Sequence, residues 1–286
     1  MTKQALSHTD QAWNAFEFKW HEFFSQYHGV WATSLITLAI HEIAYFGCYL
    51  PFFIADFIPF FHKWKIQPEK SNQFFLQWRC VKQLFVNHFL IQLPIMLVSH
   101  PTMEAIGMTW ETPLPTWRTL AWQVVLFFFI EDFYFYWIHR LLHYGAFYKF
   151  IHKKHHDHAA PFGIAAEYAH PVETFFLGLG SILGPFLFGR HLLSLWVWLL
   201  FRMFQTIECH SGYDFPWSLS RLLPIWGGAD FHDYHHMAFV GNYASTFRIW
   251  DWVFGTDKKY RQWKASSAPT SKFVPELTGV YAKKSQ

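Results

Sequence analysis

The sequence has few charged residues. Charged side chains account for 15% of its 286 residues, whereas an ordinary soluble domain has roughly 25%. The formal net charge is only +3, and no basic cluster alternates with aromatic residues. A nucleic-acid-binding protein is therefore not predicted, while the small positive excess fits contact with an anionic membrane surface.

Cysteine and several catalytic motifs are also lacking. The three cysteines, Cys48, Cys80 and Cys209, have neither a disulfide nor a metal-binding spacing. The sequence contains no H-E-x-x-H, no G-x-S-x-G, no phosphate-binding loop and no G-x-G-x-x-G. These absences argue against a zinc protease, an α/β-hydrolase and a dinucleotide-binding domain. Electrons for a redox reaction would therefore have to come from a partner protein.

Long apolar segments are abundant. Hydrophobic residues make up 52% of the chain and aromatic residues 22%, including 34 phenylalanines. Because roughly 20 apolar residues in a helix span a bilayer, we predict about four spanning segments, some of which could be hairpins. The apolar stretches are 31–61, 84–99, 119–138, 174–189 and 191–207. Pro51 and Pro59 interrupt the first, so one span and a bent hairpin both remain open.

The predicted fold class is all-α, with an integral membrane helical anchor and a cytosolic, histidine-rich catalytic cap. Five basic residues lie in the loop 62–83 and one lies in the loop 100–118, and basic loops mark the cytoplasmic side. We expect three regions. They are a cytosolic or interfacial segment 1–30, a membrane-embedded catalytic domain 31–260 and a cytosolic tail 261–286.

Eight of the nineteen histidines form three clusters near the ends of apolar stretches. Residues three and four apart on a helix share a face, so each cluster can direct its imidazoles at one point. A tetrahedral zinc site uses four ligands, and eight imidazoles therefore suit two metal ions. Imidazole binds Zn, Cu, Fe and Ni, and the spacing does not choose between them. The clusters are His139-x3-His143, His152-x2-His155-His156 and His232-x2-His235-His236.

The clusters identify a resemblance to a known family. HRLLH, HKKHH and HDYHH, in this order around apolar spans, resemble the histidine boxes of the fatty acid hydroxylase / sterol desaturase superfamily. The stretches 161–174, 210–218 and 241–257, together with NHFLIQLP at 87–94, resemble the C-4 methylsterol monooxygenases, also called sterol C-4 methyl oxidases. The resemblance covers roughly residues 40–260. Phe231 stands where several members carry an additional histidine.

The resemblance implies an activity and its partners. It implies a His-ligated di-iron centre with two iron ions per chain. That centre would use O2 to oxidise a C-4 methyl group of 4,4-dimethyl or 4-methyl sterols through alcohol and aldehyde to carboxylate. It further implies a cytochrome b5-type electron donor with its NAD(P)H reductase, and a downstream sterol decarboxylase or dehydrogenase. The expected location is the endoplasmic reticulum membrane, multi-pass in membrane lipid, with a cytosolic catalytic face.

The site residues follow by matching position, and no catalytic residue beyond the metal centre is predicted. The resemblance implies the eight box histidines as ligands and makes two others, His170 and His210, the next candidates. A metal-bound histidine usually donates its other ring N–H to a carboxylate or carbonyl, and Asp132, Glu167 and Asp233 are candidates to accept it. Salt bridges to nearby lysine and arginine side chains are the alternative role for these carboxylates.

Other functions remain open at this stage. Within the superfamily, another sterol hydroxylase or a sterol desaturase would share the metal and the membrane. A membrane metal-binding or transport protein is the alternative from another class, but transporters place polar ligands near the bilayer midplane, whereas these clusters fall at span ends. Lys283 and Lys284 resemble a dilysine retrieval signal, which agrees with the expected location.

Overall fold

The computed structural model describes residues 8–70 and 74–266, and this part of the chain is helical without a β-strand. The predicted dilysine signal lies outside the described residues. Short 3-10 segments occur at Pro59–Trp64, His152–Asp157 and Gly163–Ala165. The helices are α1 (His8–Gln26), α2 (Val30–Ala55), α3 (Phe74–Ala105), α4 (Trp117–Leu142), α5 (Gly145–Phe150), α6 (Pro171–Gly189), α7 (Leu192–Cys209), α8 (Leu219–Leu222), α9 (Gly228–Ala238), α10 (Ile249–Phe254) and α11 (Lys258–Ser266).

Five of these helices, α2, α3, α4, α6 and α7, are long and apolar enough to cross a membrane. The chain is accordingly a multi-pass membrane protein. The structure therefore has five candidate spans where the sequence predicted about four. The segment 31–61 is not a hairpin, because α2 continues through Pro51 and ends at Ala55. Large apolar side chains such as Ile43 and Val98 are exposed, as expected for helix faces that contact lipid.

Helix α7 lies at the centre of the bundle. It is the most buried of the five candidate spans and packs against α2, α4 and α9. Helices α6 and α7 form a hairpin, and α4 packs closely against α6 through small residues. A Cβ atom at Gly180 would lie 2.6 Å from the ring of Tyr134, and one at Gly184 would lie 2.7 Å from Phe127. The bundle thus holds the C-terminal ends of α4 and α7 in one place.

The two ends of the bundle carry different parts of the chain. At one end α1 packs on the loop between α3 and α4, where the Trp20 indole donates to the Trp110 carbonyl at 2.7 Å and contacts the His191 ring. At the other end, Gln67 donates to the Asp233 carboxylate at 2.6 Å, and the three histidine clusters lie there. Helix α2 connects the two ends. If α2 spans the membrane, α1 and the histidine clusters lie on opposite sides of it, so only one of the two can be cytosolic.

The close approach of α4 and α6 should make Gly180 intolerant of a side chain. We expect Gly180→Ala to lower stability by about 1–3 kcal/mol, because the new methyl group meets a tyrosine ring whose hydroxyl is bonded to the Phe176 carbonyl. Gly47→Ala on α2 is the matched control, since nothing lies within 4 Å of its Cβ position. Thermal unfolding in detergent measures both, and equal midpoints would contradict the packing argument.

Candidate metal centre

Nine buried or half-buried histidines converge on two points at one end of the bundle. Within each group, one atom from every residue lies within 4.8 Å of one atom from every other residue. Group one contains His139, His143, His152, His156 and His235. Group two contains His155, His210, His232 and His236.

Four chain segments supply these side chains. The last turn of α4 carries His139, and His143 caps its C-terminus. His210 has the same position at the end of α7. The second cluster lies on the 3-10 segment His152–Asp157, and the third lies on α9. All four segments meet because α4 and α7 end at the same level and α9 packs against α7.

Each H-x-x-H-H cluster divides its histidines between the two groups, so the prediction that each cluster directs its imidazoles at one point is wrong for these two clusters. His156 belongs to group one and the adjacent His155 to group two, and His235 and His236 are divided in the same way. The reason is geometric, because consecutive residues on a helix point roughly 100° apart. Adjacent imidazoles therefore point to different sites, and each of the two H-x-x-H-H clusters contributes to both groups.

The Nε2 atoms of the rings face one another at short distances. In group one, the Nε2 atoms of His139 and His152 are 3.0 Å apart, and those of His143 and His235 are 3.2 Å apart. In group two, the separation is 2.9 Å between His210 and His232. Ligands around one ion with metal–imidazole bonds of roughly 2.1 Å are expected about 3.0 to 3.4 Å apart. The spacing therefore fits a metal in each group.

The hydrogen bonds of the other ring nitrogens show that some of these Nε2 atoms are bare lone pairs. The Nδ1 of His210 lies 2.8 Å from the Thr206 carbonyl, and the Nδ1 of His155 lies 3.3 Å from the Tyr168 carbonyl. A carbonyl only accepts, so both Nδ1 atoms carry the proton and donate it. Their Nε2 atoms, 3.3 Å apart, then present two lone pairs to each other. This arrangement is favourable only with a cation between them.

Burial keeps the imidazoles in the neutral form that binds metals. It lowers the pKa of His152 and of His235 to about 3, and that of His155 to about 4. The pKa values of His210, His232 and His236 are also well below the usual range, first because of burial and then because of neighbouring histidines. Metal ligation requires a deprotonated nitrogen, so these rings are prepared for it at neutral pH.

The structure brings together nine of the ten histidines named from the sequence, and His170 lies elsewhere. His170 caps the N-terminus of α6, where its Nδ1 accepts a hydrogen bond from the Val172 N–H at 3.2 Å. It belongs to neither group. Because that nitrogen is occupied by the backbone, His170 serves the start of the helix.

The three carboxylates named from the sequence do not contact the two groups. Asp132 accepts the backbone N–H of Thr246 at 2.7 Å, and Asp233 accepts from Gln67. Glu167 contacts two histidines outside the groups. Burial raises the pKa of Asp233 to about 7, and the hydrogen bond from Gln67 opposes that rise.

Sequence reasoning missed the carboxylate that does contact a group. Glu173, in the first turn of α6, lies 2.8 Å from the Nδ1 of His152 through its Oε1. It is the kind of partner that fixes the orientation of a metal-binding imidazole. No helical spacing connects Glu173 to a histidine cluster, because a loop separates them. The one sequence signal was that Glu173 lies within the stretch 161–174, which resembles the C-4 methylsterol monooxygenases.

A cavity of about 120 Å³ opens beside both groups. His139, His155 and His232 form part of its wall. Apolar side chains, among them Phe135 and Leu177, form another part. The cavity therefore joins the candidate metal centre to an apolar space between the membrane-spanning helices. The remaining lining residues include Gln92, His152, Glu167, Glu173, Thr174, Arg202, Met203, Thr206 and His210.

The division of the ligands gives a test of the metal centre. We expect His155→Ala to hold about one metal ion per chain fewer than the unsubstituted protein, because His155 belongs to group two alone and losing one of its ligands weakens binding there. His170→Ala should keep the full content. Elemental analysis of the purified, correctly inserted proteins measures both, and a metal loss in His170→Ala with none in His155→Ala would contradict the assignment.

Comparison with known proteins agrees with this geometry. A putative methylsterol monooxygenase of Dictyostelium discoideum is 53% identical over 241 residues, which cover 84% of this chain and 89% of the relative. The C-4 methylsterol oxidase of Schizosaccharomyces pombe is 45% identical and covers 91% and 86%. A very-long-chain aldehyde decarbonylase of Oryza sativa subsp. indica is 45% identical and covers 91% and 96%. No solved structure matches the chain.

The fatty acid hydroxylase profile matches residues 124–256, and this range contains all nine histidines of the two groups. Iron is the metal typical of that family. The matched relatives extend over most of both chains. The chain is therefore an oxidoreductase that belongs to the fatty acid hydroxylase family, with methylsterol monooxygenases among its relatives.

Proposed function

We propose that this protein oxidises a C-4 methyl group of 4,4-dimethyl or 4-methyl sterols in sterol biosynthesis, using O2. The oxidation proceeds in steps, from alcohol through aldehyde to carboxylate. One observation carries the proposal. Two groups of buried histidines, with Nε2 atoms facing each other about 3 Å apart, lie beside an apolar cavity. Relatives that are named for C-4 methylsterol oxidation add the substrate class.

Two iron ions are the proposed cofactors of this centre. Group one would hold one ion through five imidazoles and group two would hold the other through four. When bound, the iron pair supplies the activation of O2 that breaking an unactivated C–H bond requires. The donor set fits this role, because neutral imidazole suits iron.

The residues of the chain orient and isolate the centre. The Nδ1 of His139 donates to the Tyr243 carbonyl oxygen at 2.7 Å, and the Nδ1 of His235 donates to the Gly241 carbonyl oxygen at 2.6 Å. These contacts fix the ring tautomer, so that each Nε2 lone pair is directed inward. Burial removes water from around the rings, which protects a reactive centre from side reactions.

The cavity would position the substrate. Its apolar wall includes Phe135, Leu177 and Met203, which suit a sterol skeleton. Ligand pockets usually have roughly 300–1,000 Å³, whereas this cavity has about 120 Å³. A sterol would therefore have to displace side chains between α4 and α6.

The proposed location and partners follow from the same proposed function and from the distribution of charge in the sequence. The end of the bundle with the histidines faces the cytosol at the endoplasmic reticulum. This orientation is supported by the basic residues Lys63, Lys65 and Lys70, which precede α3 on either side of Gln67, the residue that contacts Asp233. A cytochrome b5-type carrier with its NAD(P)H reductase delivers electrons there, since the sequence has no dinucleotide-binding motif. A sterol decarboxylase or dehydrogenase consumes the carboxylate. Helix α1 then lies at the opposite membrane interface.

The relative from Oryza sativa subsp. indica named very-long-chain aldehyde decarbonylase supports a second candidate function, a reaction on a long-chain aldehyde.

A direct experiment separates the sterol function from the aldehyde function. Purified protein in lipid receives iron, a reductant system and 18O2, with either 4,4-dimethylsterol or a long-chain aldehyde. The sterol function predicts 4-hydroxymethyl, formyl and carboxyl products that carry 18O. Conversion of the aldehyde alone would favour the second candidate, and would contradict the proposal. Another sterol hydroxylase or desaturase would give different sterol products.

The cavity wall gives a quantitative prediction. Leu177→Trp should reduce sterol oxidation at least tenfold, because the larger indole fills much of a cavity of about 120 Å³, while metal content stays unchanged. Phe176→Trp is the matched control, since Phe176 is the neighbouring residue and is exposed to lipid. Product formation with 4,4-dimethylsterol is the measurement. Equal losses in both variants would show that the cavity does not hold the sterol.

A further inference from the structure

A second cluster of potential ligands lies away from the nine histidines, between the first two candidate spans. His41 and Glu42 belong to α2, His88 belongs to a π-helical turn inside α3, and Glu167 comes from the loop before α6. His41 and His88 are buried, and the Glu42 and Glu167 side chains are each 18% exposed. We call these four residues the α2–α3 cluster. None of them belongs to the two groups that would hold the iron ions, although Glu167 lines the cavity.

Three atoms of the α2–α3 cluster converge on one point. The Glu42 Oε1 lies 2.7 Å from the Nδ1 of His88 and 3.2 Å from the Nδ1 of His41. The two imidazole rings are perpendicular, at 89°, with centroids 5.0 Å apart. His139 and His143 in group one have the same centroid separation. Two nitrogens and one carboxylate oxygen thus adopt the spacing found between neighbours in the metal centre.

Glu167 occupies the opposite side of both rings. Its Oε1 lies 3.2 Å from the Nε2 of His41, and its Oε2 lies 2.9 Å from the Nε2 of His88. The Gln92 amide donates to the same Oε2 at 2.9 Å. A carboxylate behind the outer nitrogen of a metal-bound imidazole is the usual arrangement that orients such a ligand. Here one carboxylate lies beside the Nε2 atoms of two imidazoles and is hydrogen-bonded to that of His41.

The direction of the His88 nitrogens distinguishes a metal site from a simple ion-pair network. Although carboxylate oxygens lie 2.7 and 2.9 Å away, neither ring nitrogen makes a hydrogen bond with acceptable direction. A protonated His88 would point its N–H groups at those oxygens. A metal-binding nitrogen instead points its lone pair at the metal ion. The other ligands of that ion then lie to the side of the lone-pair direction. The two nitrogens of His88, which is fully buried, therefore lack the directed hydrogen bonds that a protonated ring would make.

Charge balance supports the same conclusion. Two carboxylates beside buried imidazoles, within membrane-spanning helices, are costly unless positive charge compensates them. One divalent cation, in place of protons on the two imidazoles, balances Glu42 and Glu167. The donor set of two imidazoles and one carboxylate, with an open position, is that of many zinc sites and of non-haem Fe(II) sites.

We propose that His41, Glu42 and His88 bind a third metal ion, a single divalent transition metal, at a site separate from the nine histidines. Glu167 orients the His41 imidazole through its hydrogen bond with the Nε2 of that ring. Because Glu167 and Gln92 also line the cavity beside the metal centre, the ion ties α2 and α3 to the loop that forms one wall of that cavity. The role is structural, and the site is available to Zn²⁺ or Fe²⁺.

Metal counting on the full-length protein tests the proposal. Protein purified from cells grown with iron and zinc should contain about three divalent ions per chain by elemental analysis, and the element of the third ion identifies it as zinc or iron. His88→Gln should contain about one fewer. His100→Gln is the matched control on the same helix, because His100 belongs to none of the three groups, and it should keep the full content.

Further measurements keep the outcome decisive if His88→Gln folds poorly. Glu42→Gln preserves size while removing a donor charge, and it too should lose about one ion. X-ray absorption of the third ion in the unsubstituted protein should show nitrogen and oxygen neighbours. An unsubstituted protein with only two ions, both lost when the nine histidines are substituted, would overturn the proposal and establish a protonated network instead. Sterol oxidation would be unaffected by that result, so the two proposals fail separately.

Discussion

The repulsion between inward-facing imidazole lone pairs is the constraint on which the rest of this structure depends. Nine neutral rings direct nitrogen atoms at two small volumes. In rings such as His210 and His155 the Nδ1 carries the one proton and donates it to a backbone carbonyl, so the inward-facing Nε2 has no proton to donate. Without cations such an arrangement is unfavourable, and the folded chain must hold it against that cost. Much of the surrounding architecture can be understood as the means by which it does so.

The loop 243–247 illustrates this support. Asp132 on α4 accepts backbone N–H groups from Thr246 and Phe247, and Asp251 on α10 accepts those of Tyr243 and Ala244. The two carboxylates thereby fix a loop whose Tyr243 carbonyl holds the ring of His139. Beneath it, Glu131 pairs with Arg202 at 2.9 Å. Buried charges that do not touch the ligands therefore determine where the ligands point.

The bundle adds a second level of organisation. Helix α7 lies in the middle and delivers His210, while α4 delivers His139 and His143 at the same level. The π-helical turn in α3 places His88 beside His41, although these residues are far apart in sequence. Membrane-spanning helices thus supply part of each set of polar residues. The apolar outer faces of such helices allow polar groups only where the protein itself satisfies them.

The sequence by itself determined the helical class, the approximate spans and the histidines that meet, because apolar runs and i, i+4 spacing are local properties. It could not determine that adjacent histidines separate into two groups, since that depends on how three segments face one another. It could not find Glu173 or the α2–α3 cluster either, because His41, His88 and Glu167 come together only when α2, α3 and a distant loop pack. Long-range packing decided these contacts, since the residues that meet are 21 to 126 positions apart and no local pattern encodes such distances.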